Sequence, residues 1–251
     1  MIRGLYNSAS SMVALEKRME VATTNLANVD TNGFKQDRTA IATFAEQLVA
    51  RMTANEGAAT LGNIGLADIT AAPDTDWTQG SLQKTERELD LALSGGGLFS
   101  IQAPEGIRYT RNGAFTRNAQ NVLTTTTGRP LLGQNGPIQL PDGEVTVSSN
   151  GTVSVGDIVV DQLRIVEFAN PDDLRRLGSN ELTPKDPAVQ PQAATATSVQ
   201  QGMVEMSNVD ITATMTTIME IQRAYEANQR MIQSQNELAQ RAVSDIARPS
   251  A

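Results

Sequence analysis

Residues 207–240 read SNVDITATMTTIMEIQRAYEANQRMIQSQNELAQ. Ser207, Asn208 and Asp210 are each good N-cap residues, so a helix starts here. No glycine or proline follows until Pro249. Taken as one helix over 210–247, the segment is about 57 Å long at roughly 1.5 Å per residue. Ile211, Met215, Ile218, Ile221, Tyr225, Asn228, Ile232, Gln235, Leu238 and Ala242 recur at steps of three and four. A period near 3.5 marks a helix that lies along another helix. Asn228 and Gln235 put polar groups into this line. There they either fix register and partner number at a cost in stability, or face solvent on an imperfect amphipathic helix.

The other end of the chain has the same character. Ile2, Leu5, Ala9, Met12, Met19, Ala22 and Leu26 form a second seam, interrupted by Glu16, with no Gly or Pro between Leu5 and Asn32. Asp30-Thr31-Asn32-Gly33 supplies the stop. Asn28-Val29-Asp30 is echoed by Asn208-Val209-Asp210 where the last helix begins. Two single-stripe helices leaving one domain at a shared point can lie side by side, and neither is stable alone.

Between them the period changes to two. Leu89–Leu93, Leu98–Ile101, Val145–Val147 and Ile158–Val160 alternate or run apolar, and the pattern continues through Leu163, Ile165, Val166 and Phe168. Gly95-Gly96-Gly97, Asn112-Gly113, Asn135-Gly136-Pro137, Asp142-Gly143 and Asn150-Gly151 punctuate them. Short strands between such turns predict an antiparallel all-β domain with no crossover helices. The fold class is therefore α+β. The terminal helices are expected to pair as a coiled coil (1–33 with 207–251), with an extended linker or arm over 34–74 and a β-rich outer domain over 75–206. Within the linker, 36–53 reads as a further helical stretch through Ile41, Phe44, Ala45, Leu48 and Met52.

Composition removes most chemistry. The 251 residues include no Cys and no His, so thiol nucleophiles, Zn-thiolate sites and imidazole bases are excluded. Twenty Lys and Arg against 28 Asp and Glu give a net charge of −8, which argues against nucleic-acid backbone binding. No run approaches the ~20 apolar residues of a membrane span, and the first thirty lack a signal-peptide core. The chain is thus expected to be cytoplasmic, or exported without a cleaved leader, and not inserted in a membrane. The triple glycine lacks the Lys-Ser/Thr of a phosphate loop and reads as a turn between strands. Glu86, Glu88 and Asp90, spaced by two, read as a solvated strand face and not a carboxylate pair for catalysis. Methionines at 12, 19, 215 and 219 suit adaptable helix contacts. The only tryptophan, Trp77, reads as a buried anchor at the domain edge. No catalytic, cofactor or metal residues are assigned.

Four longer motifs carry a resemblance. Asn25-Leu26-Ala27-Asn28-Val29-Asp30-Thr31-Asn32-Gly33-Phe34-Lys35 resembles the N-terminal signature of bacterial flagellar rod and hook proteins. Glu205-Met206-Ser207-Asn208-Val209-Asp210 and Gln222-Arg223-Ala224-Tyr225-Glu226-Ala227-Asn228 resemble that family's C-terminal motifs. Tyr109-Thr110-Arg111-Asn112-Gly113-Ala114-Phe115 resembles the central motif of its rod members. The stretch Gly136–Gly143 resembles the proximal-rod type, while Gln222–Asn228 is at least as typical of the distal type.

The resemblance implies a structural subunit that leaves through the flagellar type III export apparatus without a cleaved signal. It implies assembly in the periplasm into a helical tube that transmits torque. The partners implied are copies of the same chain, other rod proteins and the bushing rings. The surfaces expected to carry assembly are Leu5, Met12, Met19, Leu26, Asn28 and Phe34 from the first end. From the second they are Asn208, Val209, Met215, Ile218, Tyr225, Asn228 and Ile232. A soluble adaptor, with a β binding domain on an autonomous coiled coil, is the reading of a different class.

Overall fold

A computed structural model of the chain describes residues 2–39, 41–43, 68–70, 74–194 and 196–246. It divides into a helical unit (1–27, 37–74, 210–251) and a β unit (28–36, 75–209). Residues 28–33, grouped with the helices on their sequence, thus belong with the β strands.

In the helical unit, α1 spans Ile2–Ala27 and α2 spans Ile211–Ile246. Asp210 is the N-cap of α2: its carboxylate accepts from Ala213 N–H at 3.0 Å and its carbonyl from Thr214 N–H at 2.9 Å. The two helices pack on each other. Near the start of α1, Ser8 is buried and its hydroxyl donates to Met231 Sδ at 3.3 Å. A parallel arrangement through that contact would leave Ile221 beyond the start of α1. Ile221 is only 2% exposed, which implies that the helices run antiparallel. Along α1 the covered side chains are Ala14, Val21, Ala22 and Asn25.

The connection that follows α1 carries β1 (Asp37–Arg38), β2 (Ile41–Thr43), β3 (Asp68–Thr70) and β4 (Asp74–Thr75). Ile41–Thr43 is therefore not helical. It pairs antiparallel with Asp68–Thr70, where the β-branched Ile41 and Thr43 fit a pleated ladder better than a helix turn. The rest of the expected helix, 44–53, lies outside the described residues.

The β unit holds β5 (Leu82–Lys84), β6 (Leu91–Ser94), β7 (Leu98–Ala103), β8 (Gly106–Thr110), β9 (Phe115–Arg117) and β10 (Leu123–Thr125). Then follow β11 (Val145–Val147), β12 (Thr152–Val155), β13 (Ile158–Gln162), β14 (Ile165–Glu167) and β15 (Leu174–Arg176). The last strands are β16 (Glu181–Pro184), β17 (Gln192–Ala193), β18 (Ser198–Gln201) and β19 (Met203–Glu205). The largest sheet runs β15-β16-β8-β7-β14-β17 and its pairings are antiparallel. Smaller sheets are β11-β12-β13, β9-β10, β6-β18 and β5-β19.

Strand β7 explains the long apolar run after the glycines. It is covered on both faces, so alternation is lost. Phe99 and Ile101 enter a large aliphatic core with Leu91, Leu93, Phe115 and Leu123. Leu98 joins a second core with Tyr109, Val166, Phe168, Leu174 and Leu182, against which Trp77 packs. Each core holds one edge-to-face aromatic pair: Phe99–Phe115 at 5.1 Å and Tyr109–Phe168 at 5.0 Å. Gly95–Gly97 turns the chain from β6, paired with β18, into β7 of the large sheet. Glu86, Glu88 and Asp90 do not share a strand face. A left-handed Glu86 (φ 62°) ends the strand, Glu88 is exposed, and Asp90 is buried in the turn before β6. Trp77 is half-buried, with its indole N–H 3.3 Å from Asp172 Oδ1.

Candidate functional site

Three of the four signature motifs meet in the β unit. After α1 the chain turns at Asn28, whose carbonyl accepts from Thr31 N–H at 3.1 Å and whose side chain accepts from Thr31 Oγ1 at 3.2 Å. Residues 32–36 then lie as a strap across the domain. Gly33 has φ +68° and its N–H donates to Glu205 O at 2.7 Å. A β-carbon on Gly33 would sit 2.5 Å from the Arg111 carbonyl carbon and 2.7 Å from Asn112 N, so only glycine permits this approach. Phe34 is buried beneath the Arg176 guanidinium, 4.5 Å from the ring centre. Arg176 also donates to Lys35 O at 2.6 Å, and Asn180 Nδ2 donates to Asn32 O at 2.9 Å.

Under the strap lies a buried ion cluster with one residue from each of these three motifs. Glu205, on β19, is 1% exposed, and its carboxylate takes both partners at once. Lys35 Nζ donates to Oε1 at 2.5 Å and Arg111 Nε to Oε2 at 2.5 Å. Gly80 N–H adds a third bond to Oε1 at 3.0 Å. Lys35 also donates to Thr78 O at 2.8 Å; Arg111 reaches the carbonyls of Gly97 and of Leu93, the latter at 2.9 Å. Burial lowers the Lys35 pKa from the usual lysine value; Glu205 opposes this, and the Arg111 charge adds to the lowering. The cluster joins strands that are far apart in sequence. Buried pairs of this kind hold one arrangement in place more than they add net stability.

Asn208 closes the same junction. Its Oδ1 accepts from Gln36 N–H at 2.7 Å, and its Nδ2 donates to Asp76 O at 2.9 Å and to Thr78 O at 3.2 Å. It is therefore not the cap of α2; Asp210 is. In the helical unit Asn25 makes a comparable two-sided bond to Asp37, donating to its carbonyl at 2.7 Å and accepting from its N–H at 2.9 Å. Asn208→Ala is expected to lower the unfolding free energy of the full chain by about 2 kcal/mol, since it orphans a backbone donor and two acceptors. Urea unfolding followed by Trp77 fluorescence measures this. A loss under about 0.5 kcal/mol would mean water replaces the amide.

The residues expected to carry assembly divide between the units. Asn28, Phe34, Asn208 and Val209 belong to the β unit, and Phe34 and Val209 are buried within it. Met12, Met19 and Leu26 on α1 are half-buried, as are Ile218, Tyr225, Asn228 and Ile232 on α2. Met215 is exposed. Leu5 lies on α1, with its side chain outside the described ones. The more covered of the described positions of α2 are 214, 217, 218, 221, 224, 225, 228, 232 and 235, which includes Asn228 and Gln235 in the packed line. Ile211, Met215, Met219 and Leu238 fall outside it and are exposed. Sequence reading did not single out Lys35, Arg111 or Glu205. The available signal was a basic or acidic residue inside each of three turn-rich motifs. Among the described residues, no helix is long and apolar enough to cross a membrane.

Comparison with known proteins gives matches over these same segments. The family described as flagella basal body rod protein matches residues 5–35. The flagellar hook protein FlgE/F/G D1 domain matches residues 92–155. The flagellar basal body rod FlgEFG protein C-terminal family matches residues 200–245. Each member of the ion cluster falls in a different one of the three. The flagellar basal-body rod protein FlgF of Caulobacter vibrioides is 35% identical over 98% of this chain and 98% of its own length. The flagellar basal-body rod protein FlgG of Bacillus subtilis is 33% identical over 97% of this chain and 99% of its own. The flagellar hook-basal body complex protein FlhO of Bacillus subtilis is 31% identical over 98% and 99%. With the N-terminal, central and C-terminal matches in order along one chain, this protein belongs to the flagellar basal-body rod protein family.

Proposed function

We propose that this chain is a structural subunit of the bacterial flagellar basal-body rod, and not an enzyme. The observation that carries the proposal is its likeness to rod proteins along nearly its whole length. The finer reading is a proximal-rod subunit of FlgF type, which the stretch Gly136–Gly143 supports; a distal-rod FlgG-type subunit is the alternative. α1 and α2 act as a coiled-coil layer of a helical tube, and the β unit forms its outer layer. The 3.5-residue period of covered positions on α2 supports that role. Helical assembly needs different surfaces on the two sides of each copy. The exposed Met215, Met219 and Met231 give α2 apolar area for neighbours. Passage through the type III apparatus without a cleaved signal, and a periplasmic position near the bushing rings, complete the reading.

Basal bodies purified from cells that carry a tagged copy test it. The tag is expected in the rod, below the hook, and cells lacking the chain should build no hook. Normal hook-bearing basal bodies in the deletion strain would overturn the assignment. Immunogold labelling near the inner or the outer end of the rod separates the proximal from the distal type.

A further inference from the structure

The ion cluster has an unusual chain order. Lys35 and Arg111 both precede their shared partner Glu205, by 170 and 94 residues. The strand that receives Glu205 also precedes it, since β19 pairs with β5 through Glu205↔Leu82. Without β19, the docked strap would bring two cations together in a buried place. Each nitrogen lies 2.5 Å from one oxygen of a single carboxylate. That places the two no more than about 7 Å apart, where like charges at an effective dielectric near 20 disfavour each other roughly fifty-fold. Their remaining partners are neutral carbonyls of Thr78, Gly97 and Leu93. Asp76 is the other carboxylate that acts on Lys35, and its pull is smaller than the opposing push of the Arg111 charge.

We propose that Glu205 is the closing key of the β unit. Repulsion between Lys35 and Arg111 keeps the strap undocked until the C-terminal strand arrives, so the unit closes only on a chain complete through residue 205. The same two cations that oppose closure before Glu205 docks hold it shut afterwards. This makes the effect of each cation depend on the presence of the carboxylate, in sign as well as in size.

Full-length chains carrying Lys35→Met, Glu205→Gln or both test this by urea unfolding. Trp77, the sole tryptophan and a part of the β unit, reports the transition. In the natural background Lys35→Met is expected to lower the folding equilibrium constant at least tenfold. In the Glu205→Gln background the same change is expected to raise it at least tenfold. A Lys35→Met effect of the same direction in both backgrounds overturns the proposal. If the Glu205→Gln chain shows no folded baseline, the double variant decides. A restored cooperative transition supports the key, and a chain that stays unfolded removes it.

Discussion

Cells whose only copy of this chain carries Leu26→Asp or Ile218→Asp are expected to stop swimming while the β unit still folds. Leu26 sits one residue from the end of α1 and Ile218 in the third turn of α2. Both are half-buried in the single chain. Ile218 lies in the covered line with Ile221 and Tyr225, so a carboxylate there enters a partly covered apolar line. Such a burial costs several kcal/mol and displaces the neighbouring helix. Among the described residues α1 packs on α2 more than on any strand, so the loss falls on assembly. The β unit keeps its own two cores, neither of which includes Leu26 or Ile218. Swim-plate diameter and Trp77 fluorescence read the two effects separately. Normal swimming in both variants would remove the helical layer from this account; loss of the Trp77 transition would mean the substitutions act on folding instead.

Gly33→Ala is expected to cost the full chain about 2–5 kcal/mol, from two sources. A left-handed backbone costs a non-glycine residue about 1–2 kcal/mol. The added methyl also meets backbone atoms of Arg111 and Asn112 at 2.5–2.7 Å, which do not rotate away. Forced overpacking costs about 1–3 kcal/mol more. Gly128 provides the control: it has φ +81°, with nothing within 4 Å of its would-be β-carbon. Gly128→Ala should therefore cost only about 1–2 kcal/mol. Denaturant midpoints of the two variants, at equal m-values, give the difference. Equal losses would show that the strap lifts away from Arg111 at little cost.

Much of the architecture was legible because it is periodic. The seam on α2 held from Ile218 to Gln235, and the strands from Leu91 to Glu167 fell between the turn residues that bound them. Three features were not legible, each for a physical reason. Ile41–Thr43 lay within a pattern compatible with a helix, and only its partner strand at 68–70 decides for a ladder. Glu86, Glu88 and Asp90 keep a spacing of two, but the left-handed Glu86 breaks the strand that spacing assumes. The ion cluster brings together residues 94 and 170 positions apart, which no local period can encode. Asn208 was chosen as a candidate cap or contact, and its actual partners at Gln36, Asp76 and Thr78 are equally remote. The family resemblance named the right segments without indicating that they touch.

The strap has a mechanical consequence. The chain first enters the β unit at Asn28, leaves after Gln36, returns at Thr75 and leaves for the last time at Val209. Between these points Gly33 N–H meets Glu205 O at 2.7 Å, and Asn208 N–H meets Phe34 O at 3.4 Å. A pull applied across the two ends therefore loads this clamp first. The strands behind it carry no tension until the clamp opens. Tensile strength is thereby set by a handful of polar bonds around Lys35, Arg111 and Glu205, and the two apolar cores stay out of the load path while those bonds hold.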